Sequence, residues 1–230
     1  MTEPIVRAIL GTGHQARVRP MPSTSHRPEL TRKLQGLNLY LVGMMGAGKS
    51  AVGPPLARSL GYCFIDADTT LEQTAGQTIP EIFATAGEEG FRALESAVLN
   101  ELASWHSLVV ATGGGVVTRP LNWGQLHQGV VIWLDAPEAV LLGRLQSDAS
   151  PRPLLADPDP AGRLRELLAQ RRPLYAQADL RVMQQAESPE ALAEKVLDAL
   201  PSILRERPQP PEERITLLHG DGHASPNLNH

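Results

Sequence analysis

Gly43-Met44-Met45-Gly46-Ala47-Gly48-Lys49-Ser50 fits G-x-x-x-x-G-K-[ST], the pattern of a loop that cradles phosphate. Its glycines let the backbone turn so that successive N–H groups converge on an anion. Lys49 can reach the β- and γ-phosphates, and the Ser50 hydroxyl can hold Mg²⁺. The flanks suit the loop. Leu39-Tyr40-Leu41-Val42 reads as a buried strand leading in, and a helix beginning at Lys49 brings the positive end of its dipole to the anion. A Gly-rich turn with no ligand can match the bare pattern; the strand before and the helix after favour a nucleotide site.

Working outward, strand and helix signals alternate between residues 37 and 201. Apolar runs at Leu39–Val42, Tyr62–Ile65, Leu108–Ala111, Val130–Leu134 and Leu180–Met183 are short and mostly continuous, the mark of strands covered on both faces. Helices are expected at Lys49–Leu60, Glu88–Ala103, Pro120–Leu126, Pro137–Leu145, Gly162–Arg172 and Pro189–Leu200, several with proline in the first turn. This alternation predicts an α/β fold of three layers, α/β/α, around a central parallel five-stranded sheet. Ligands then lie beyond the carboxyl ends of the strands. Three segments qualify: the phosphate loop, Asp66-Ala67-Asp68 and Thr112-Gly113-Gly114-Gly115.

In extended geometry Asp66 and Asp68 point the same way, so both carboxylates can face one cleft. One can serve Mg²⁺, directly or through water, and the other can draw a proton from a substrate hydroxyl. Turn chemistry and a cap for a helix from Thr69 would also explain two acids after a strand. Gly113-Gly114-Gly115 suggests exposed amides lining an acceptor site. Arg92, Arg152 and Arg171 are candidate anion contacts. Arg152 lies in the polar, Pro-rich stretch 146–160, which has the length of an active-site lid.

Taken in order, these segments resemble the shikimate kinases, P-loop phosphotransferases of the nucleoside-monophosphate-kinase type. The resemblance rests on the phosphate loop, Phe64-Ile65-Asp66-Ala67-Asp68, the run from Ile82 to Glu95, Gly113-Gly114-Gly115, Arg152-Pro153-Leu154-Leu155 and Arg171-Arg172-Pro173-Leu174-Tyr175, and it covers about residues 37–201. It implies ATP and shikimate as substrates, Mg²⁺ as the cofactor and a mobile lid. It implies that Gly46, Ala47, Gly48, Lys49, Ser50 and Ala51 hold the nucleotide phosphates and that Ser50 and Asp66 serve the metal. Lys49, Asp68 and Arg152 would be catalytic, with Asp68 the base. Asp68, Arg92, Gly114 and Arg171 would contact shikimate, with Phe83 and Phe91 walling its pocket. Arg144 lies near the family's adenine-contacting arginine, with a spacing to Arg152 about one residue long.

The composition agrees with one globular unit. A net charge of -4 gives no basic field for nucleic acid, and no apolar stretch approaches a membrane span. The lone Cys63, within an apolar run, reads as a small core residue. A cytoplasmic monomer is expected. Residues 1–36 are Arg-rich and Pro-interrupted; a disordered extension is the reading, with a transit peptide the alternative. Residues 202–230 read as a disordered polar tail whose His219 and His223 make a poor metal site. Pro54-Pro55 should kink or break the helix after the loop. Two rival readings remain open: a kinase for gluconate or a nucleoside monophosphate, and an inactive binding module.

Overall fold

The computed structural model describes residues 27–147 and 158–204. Their elements are α1 (Pro28–Leu34), β1 (Leu39–Val42), α2 (Lys49–Leu60), β2 (Cys63–Asp66), α3 (Ala67–Ala75), α4 (Ile79–Ala103), β3 (Leu108–Ala111), α5 (Pro120–Leu126), β4 (Val130–Asp135), α6 (Glu138–Ser147), α7 (Pro160–Tyr175), β5 (Leu180–Met183) and α8 (Pro189–Ala199). The five strands form one parallel sheet in the order β2-β3-β1-β4-β5. β1 and β3 are buried along their whole length, as is β4, which explains their unbroken apolar runs. β5 lies at one edge and alternates instead, with Leu180 and Val182 inward and Arg181 and Met183 outward.

The pleat of β1 divides the core in two. Leu39 and Leu41 join one apolar cluster with Leu56 and Leu60 of α2, Leu141 of α6 and Leu192 and Val196 of α8. Tyr40 and Val42 join a second cluster with Val98 and Leu102 of α4 and Trp123 and Leu126 of α5. These clusters are the two seams of a three-layer α/β/α sandwich. The order reverses around β1, so the loop after it opens at the sheet's switch point.

Several expectations need correction. The N-terminal boundary at 36 is too late: α1 belongs to the folded unit. Leu30 and Leu34 are buried in the first cluster. The Thr31 hydroxyl donates to the Leu60 carbonyl and the Arg27 N–H to the Ser59 carbonyl, serving the C-terminal end of α2. The Arg27 guanidinium pairs with Glu194 and Asp198 on α8. At the other end, Ile203 and Leu204 pack against the same core, so the unit extends past residue 202. Residues 1–26 and 205–230 lie outside the described residues, as do 148–157, which hold Arg152 and most of the expected lid.

α2 is unbroken despite Pro54 and Pro55. The carbonyls that those prolines cannot engage, four residues back, belong to Ser50 and Ala51. Both residues are exposed, so water can serve them. The helix expected at Glu88–Ala103 is present; a further helical stretch from Ile79, where the Thr78 N–H donates to Glu81 Oε2, precedes it across a kink at Gly87 (φ 70°, ψ -175°). α3, expected only as a helix from Thr69 capped by the acids before it, begins at Ala67 with Asp66 as its cap.

Candidate active site

The phosphate loop joins β1 to α2. Gly48, at φ 84°, is the residue before the first turn of α2, a left-handed conformation that glycine adopts without a Cβ clash. No acidic side chain occupies that first turn, so the helix dipole there remains available to an anion. Lys49 is only 9% exposed. Its ammonium lies against the loop itself, 2.8 Å from the Gly43 carbonyl and 3.1 Å from that of Met44.

Asp66 closes β2 and caps α3. Its Oδ1 accepts from the N–H groups of Asp68 and Thr69, and its Oδ2 accepts from the Ser50 hydroxyl at 2.5 Å. The capping and the metal-site explanations of this acid are therefore compatible, one oxygen to each. Hydroxyl and carboxylate are hard oxygen donors, so the pair fits Mg²⁺. Among the described residues no cluster of three or more His, Cys, Asp or Glu could hold a metal. A magnesium ion that arrives on nucleotide phosphates needs no such cluster.

Asp68 reaches the same region by a different route from the expected one. It lies in the first turn of α3 and not in extended chain. Burial pushes its pKa up to about 6, Lys49 opposes that rise, and the charges of Asp66, Glu95 and Glu72 add to it.

The triple glycine makes room for this cluster. A side-chain carbon at Gly113 would come within 2.5 Å of Glu95 Oε1 and 2.9 Å of Asp68 Oδ1, and one at Gly115 would overlap the Arg92 guanidinium. Gly113 and Gly115 are buried, so the expected row of exposed amides reduces to Gly114. The Gly114 carbonyl accepts from Arg171 Nη1 at 3.2 Å and from the Tyr175 hydroxyl at 2.6 Å. Burial pushes the Tyr175 pKa up to about 12, which keeps that hydroxyl protonated as a donor. A carbon on Gly114 would also lie 3.4 Å from the Met45 nitrogen, so this segment abuts the phosphate loop.

Arg92 sits 2.8 Å from Glu95 Oε2 and 3.5 Å from Glu88 Oε1, with its guanidinium 5.0 Å from the centre of the Phe91 ring. Phe91 stacks on Phe83, the ring centres 4.6 Å apart. Glu95 was not assigned a role from the sequence, although its place one turn beyond Arg92 was a usable signal. It is 5% exposed, and its Oε1 has no hydrogen-bond partner among the described residues. Burial raises its pKa; the charges of Arg92, Arg171 and Arg119 oppose the rise.

On the other side of the loop, a cleft of ≈ 450 Å³ is lined by Gly48, Ala51, Val52, Ala139, Val140, Gly143, Arg144, Ala186, Glu187, Pro189 and Leu192. Arg144 therefore adjoins the phosphate loop despite its irregular spacing, and donates to the Gly46 carbonyl at 3.2 Å. Buried Gln184 connects Arg144 to the Ala47 carbonyl. It directly follows β5, so the strand-end rule is the sequence signal that points to it. The structure thus brings together every expected site residue from Gly46 to Arg171 except Arg152, which lies outside the described residues.

The family model for shikimate kinase matches residues 45–201. Shikimate kinase of Synechococcus sp. (strain RCC307) is 60% identical over 185 residues, covering 80% of this chain and 95% of that protein. That of Prochlorococcus marinus (strain MIT 9313) is 53% identical over 180 residues, 78% of this chain and 94% of its own. Among solved structures, shikimate kinase from Acinetobacter baumannii in complex with shikimate is 42% identical, with a TM-score of 0.71 over 75% of this chain and 97% of that one.

Proposed function

We infer, from the premise that the chain belongs to the shikimate kinase family, that it transfers the γ-phosphoryl group of ATP to the 3-hydroxyl of shikimate. The products are ADP and shikimate 3-phosphate, on the route to chorismate and the aromatic amino acids. The observation that carries this reading is the convergence of Asp68, Arg92 and Arg171 on the Gly113–Gly115 segment, directly beside the phosphate loop.

Shikimate is a small carboxylate bearing several hydroxyls. The planar forks of Arg92 and Arg171 grip its carboxylate, at about 1.5–3 kcal/mol per charge-assisted hydrogen bond. Gly114 contacts the ring substituents, and Phe83 and Phe91 wall the pocket. Asp68 holds the reacting hydroxyl and takes its proton. Its raised pKa suits a base near neutral pH.

The loop residues Gly46 to Ala51 hold the nucleotide phosphates. Lys49 exchanges its contacts with the Gly43 and Met44 carbonyls for phosphate oxygens. Ser50 and Asp66 would hold the Mg²⁺ that accompanies ATP, and the ion would supply charge neutralisation at the phosphates. Arg152 covers the migrating phosphoryl group from the lid, and Arg144 borders the adenine. No helix among the described residues is long and apolar enough to cross a membrane; the reading includes a monomer working in the cytoplasm.

The test is coupled ADP release from the full chain with shikimate, gluconate or a nucleoside monophosphate as acceptor. Release that saturates with shikimate alone is expected. Release that follows one of the others instead, or tight ATP binding with no turnover, overturns the reading.

A further inference from the structure

We propose that Gln184 is a positioning residue for nucleotide binding, tying the phosphate loop to Arg144 and so fixing the mouth of the nucleoside cleft. The proposal rests on the kinase reading, yet its observations are independent of the acceptor. Gln184 is 1% exposed and directly follows β5. Its backbone N–H donates to the Asp135 carbonyl at 2.9 Å, anchoring it to the end of β4. Its side-chain Nε2 donates to the Ala47 carbonyl at 2.9 Å, and its Oε1 accepts from Arg144 Nη1 at 2.8 Å. The same Nη1 also donates to the Gly46 carbonyl.

The chemistry of the partners fixes the orientation of the amide. A carbonyl only accepts and a guanidinium only donates, so one group must offer a donor and an acceptor together. A carboxamide does so. A carboxylate would oppose the Ala47 carbonyl, and an apolar side chain would leave both partners unserved.

Each of the two contacts has a consequence for nucleotide. In a trans peptide the carbonyl of one residue and the N–H of the next face opposite ways. Holding the Ala47 carbonyl therefore also fixes the direction of the Gly48 N–H at the start of α2. Arg144 lines the cleft with Ala51, Val140, Pro189 and Leu192, and its long side chain loses rotamer freedom through the bond to Gln184. Loop and cleft are thus held in register before nucleotide arrives.

The test uses the full chain with Gln184→Met, Gln184→Glu, Arg144→Met and the Gln184→Met/Arg144→Met pair. ADP affinity is read by calorimetric titration without acceptor, alongside the KM values for ATP and shikimate. Gln184→Met is expected to weaken ADP and raise the ATP KM by about tenfold, with the shikimate KM changed less than about twofold. The loss of affinity in the double variant should be smaller than the product of the two single losses, because both remove one shared bond. Gln184→Glu, of the same size, keeps the Arg144 partner but sets a carboxylate against the Ala47 carbonyl and adds negative charge beside the phosphate loop. It should weaken ADP as well, and it serves as the folded comparison if Gln184→Met does not fold. Unchanged ADP affinity in either folded Gln184 variant, or an equal rise in both KM values, overturns the proposal. Wild-type chain that binds ADP but does not phosphorylate shikimate would refute the acceptor assignment and leave this test intact.

Discussion

Ser50 and Asp66 are joined by a hydrogen bond of 2.5 Å, although they stand on different elements of the fold. The same carboxylate caps α3 through its other oxygen. Charge and cap can therefore be separated by mutation. Asp66→Asn keeps an oxygen for the cap and removes the charge that favours a cation. It should raise the Mg²⁺ concentration needed for half-maximal rate several-fold with little change in melting temperature. Asp66→Ala should show the same metal effect and lose about 1 kcal/mol of stability besides. Magnesium titrations of activity, paired with thermal melts, separate the two effects.

Asp68 gives the pH dependence. Its folded pKa is raised to about 6 from an ordinary 3.8, mainly by burial. As the base, it must be ionised, so kcat/KM should fall about tenfold per pH unit well below pH 6. The stability effect has the opposite sign from that of a salt-bridged acid. Between pH 4 and pH 6 the folded state holds the proton more tightly than the unfolded chain, so this group makes stability decline as pH rises. The cost is complete above the folded pKa and is of order 3 kcal/mol. Asp68→Asn should therefore be inactive yet melt higher than wild type at pH 7.5, with the gain lost near pH 4. An equal shift at both pH values would contradict the assigned cause.

Much of this arrangement could be read in the sequence, for identifiable reasons. Doubly covered strands demand continuous apolar runs, so β1, β3 and β4 were legible, and the phosphate loop follows from its own spacing. Other features depended on partners distant in the chain. Leu30 and Leu34 lie one helical turn apart in an otherwise Arg- and Pro-rich leader, and only the Leu60 carbonyl and α8 give that turn a purpose. Asp68 comes to lie beside Gly113 through a helix in place of the expected strand geometry. Glu95 and Gln184 had only positional signals, one turn beyond Arg92 and directly after β5; their burial depends on partners distant in the chain.

Arg92 and Arg171 should respond differently to truncation, although both would grip the same carboxylate. Arg92 compensates buried Glu95, whereas Arg171 bonds the Gly114 carbonyl that Tyr175 also serves. Arg92→Met should raise the shikimate KM and destabilise the fold by about 3 kcal/mol, because Glu95 is left charged and buried. Arg171→Ala should raise the shikimate KM with the ATP KM and melting temperature nearly unchanged. Adding Glu95→Gln to Arg92→Met should recover stability without recovering shikimate affinity. Recovery of both would mean that Arg92 acts only as a structural counter-ion.

The sharpest test of the revised boundary is truncation. A chain beginning at residue 27 keeps α1, and one beginning at residue 37 loses it. Burial of Leu30 and Leu34 contributes about 1.5–3 kcal/mol each. The exposed pairs of Arg27 with Glu194 and Asp198 add at most about 1 kcal/mol apiece. The Thr31 hydroxyl and Arg27 N–H also serve carbonyls at the end of α2, the helix whose other end carries Lys49 and Ser50. Removing residues 1–26 should leave the urea midpoint unchanged. Removing residues 1–36 should lower stability by several kcal/mol while leaving the KM values of whatever remains folded close to wild type, since the bonds from Arg27 and Thr31 reach α2 at Ser59 and Leu60, the end away from Lys49 and Ser50. If the shorter chain instead matched the longer in urea, α1 would be an appendage and the original boundary would stand.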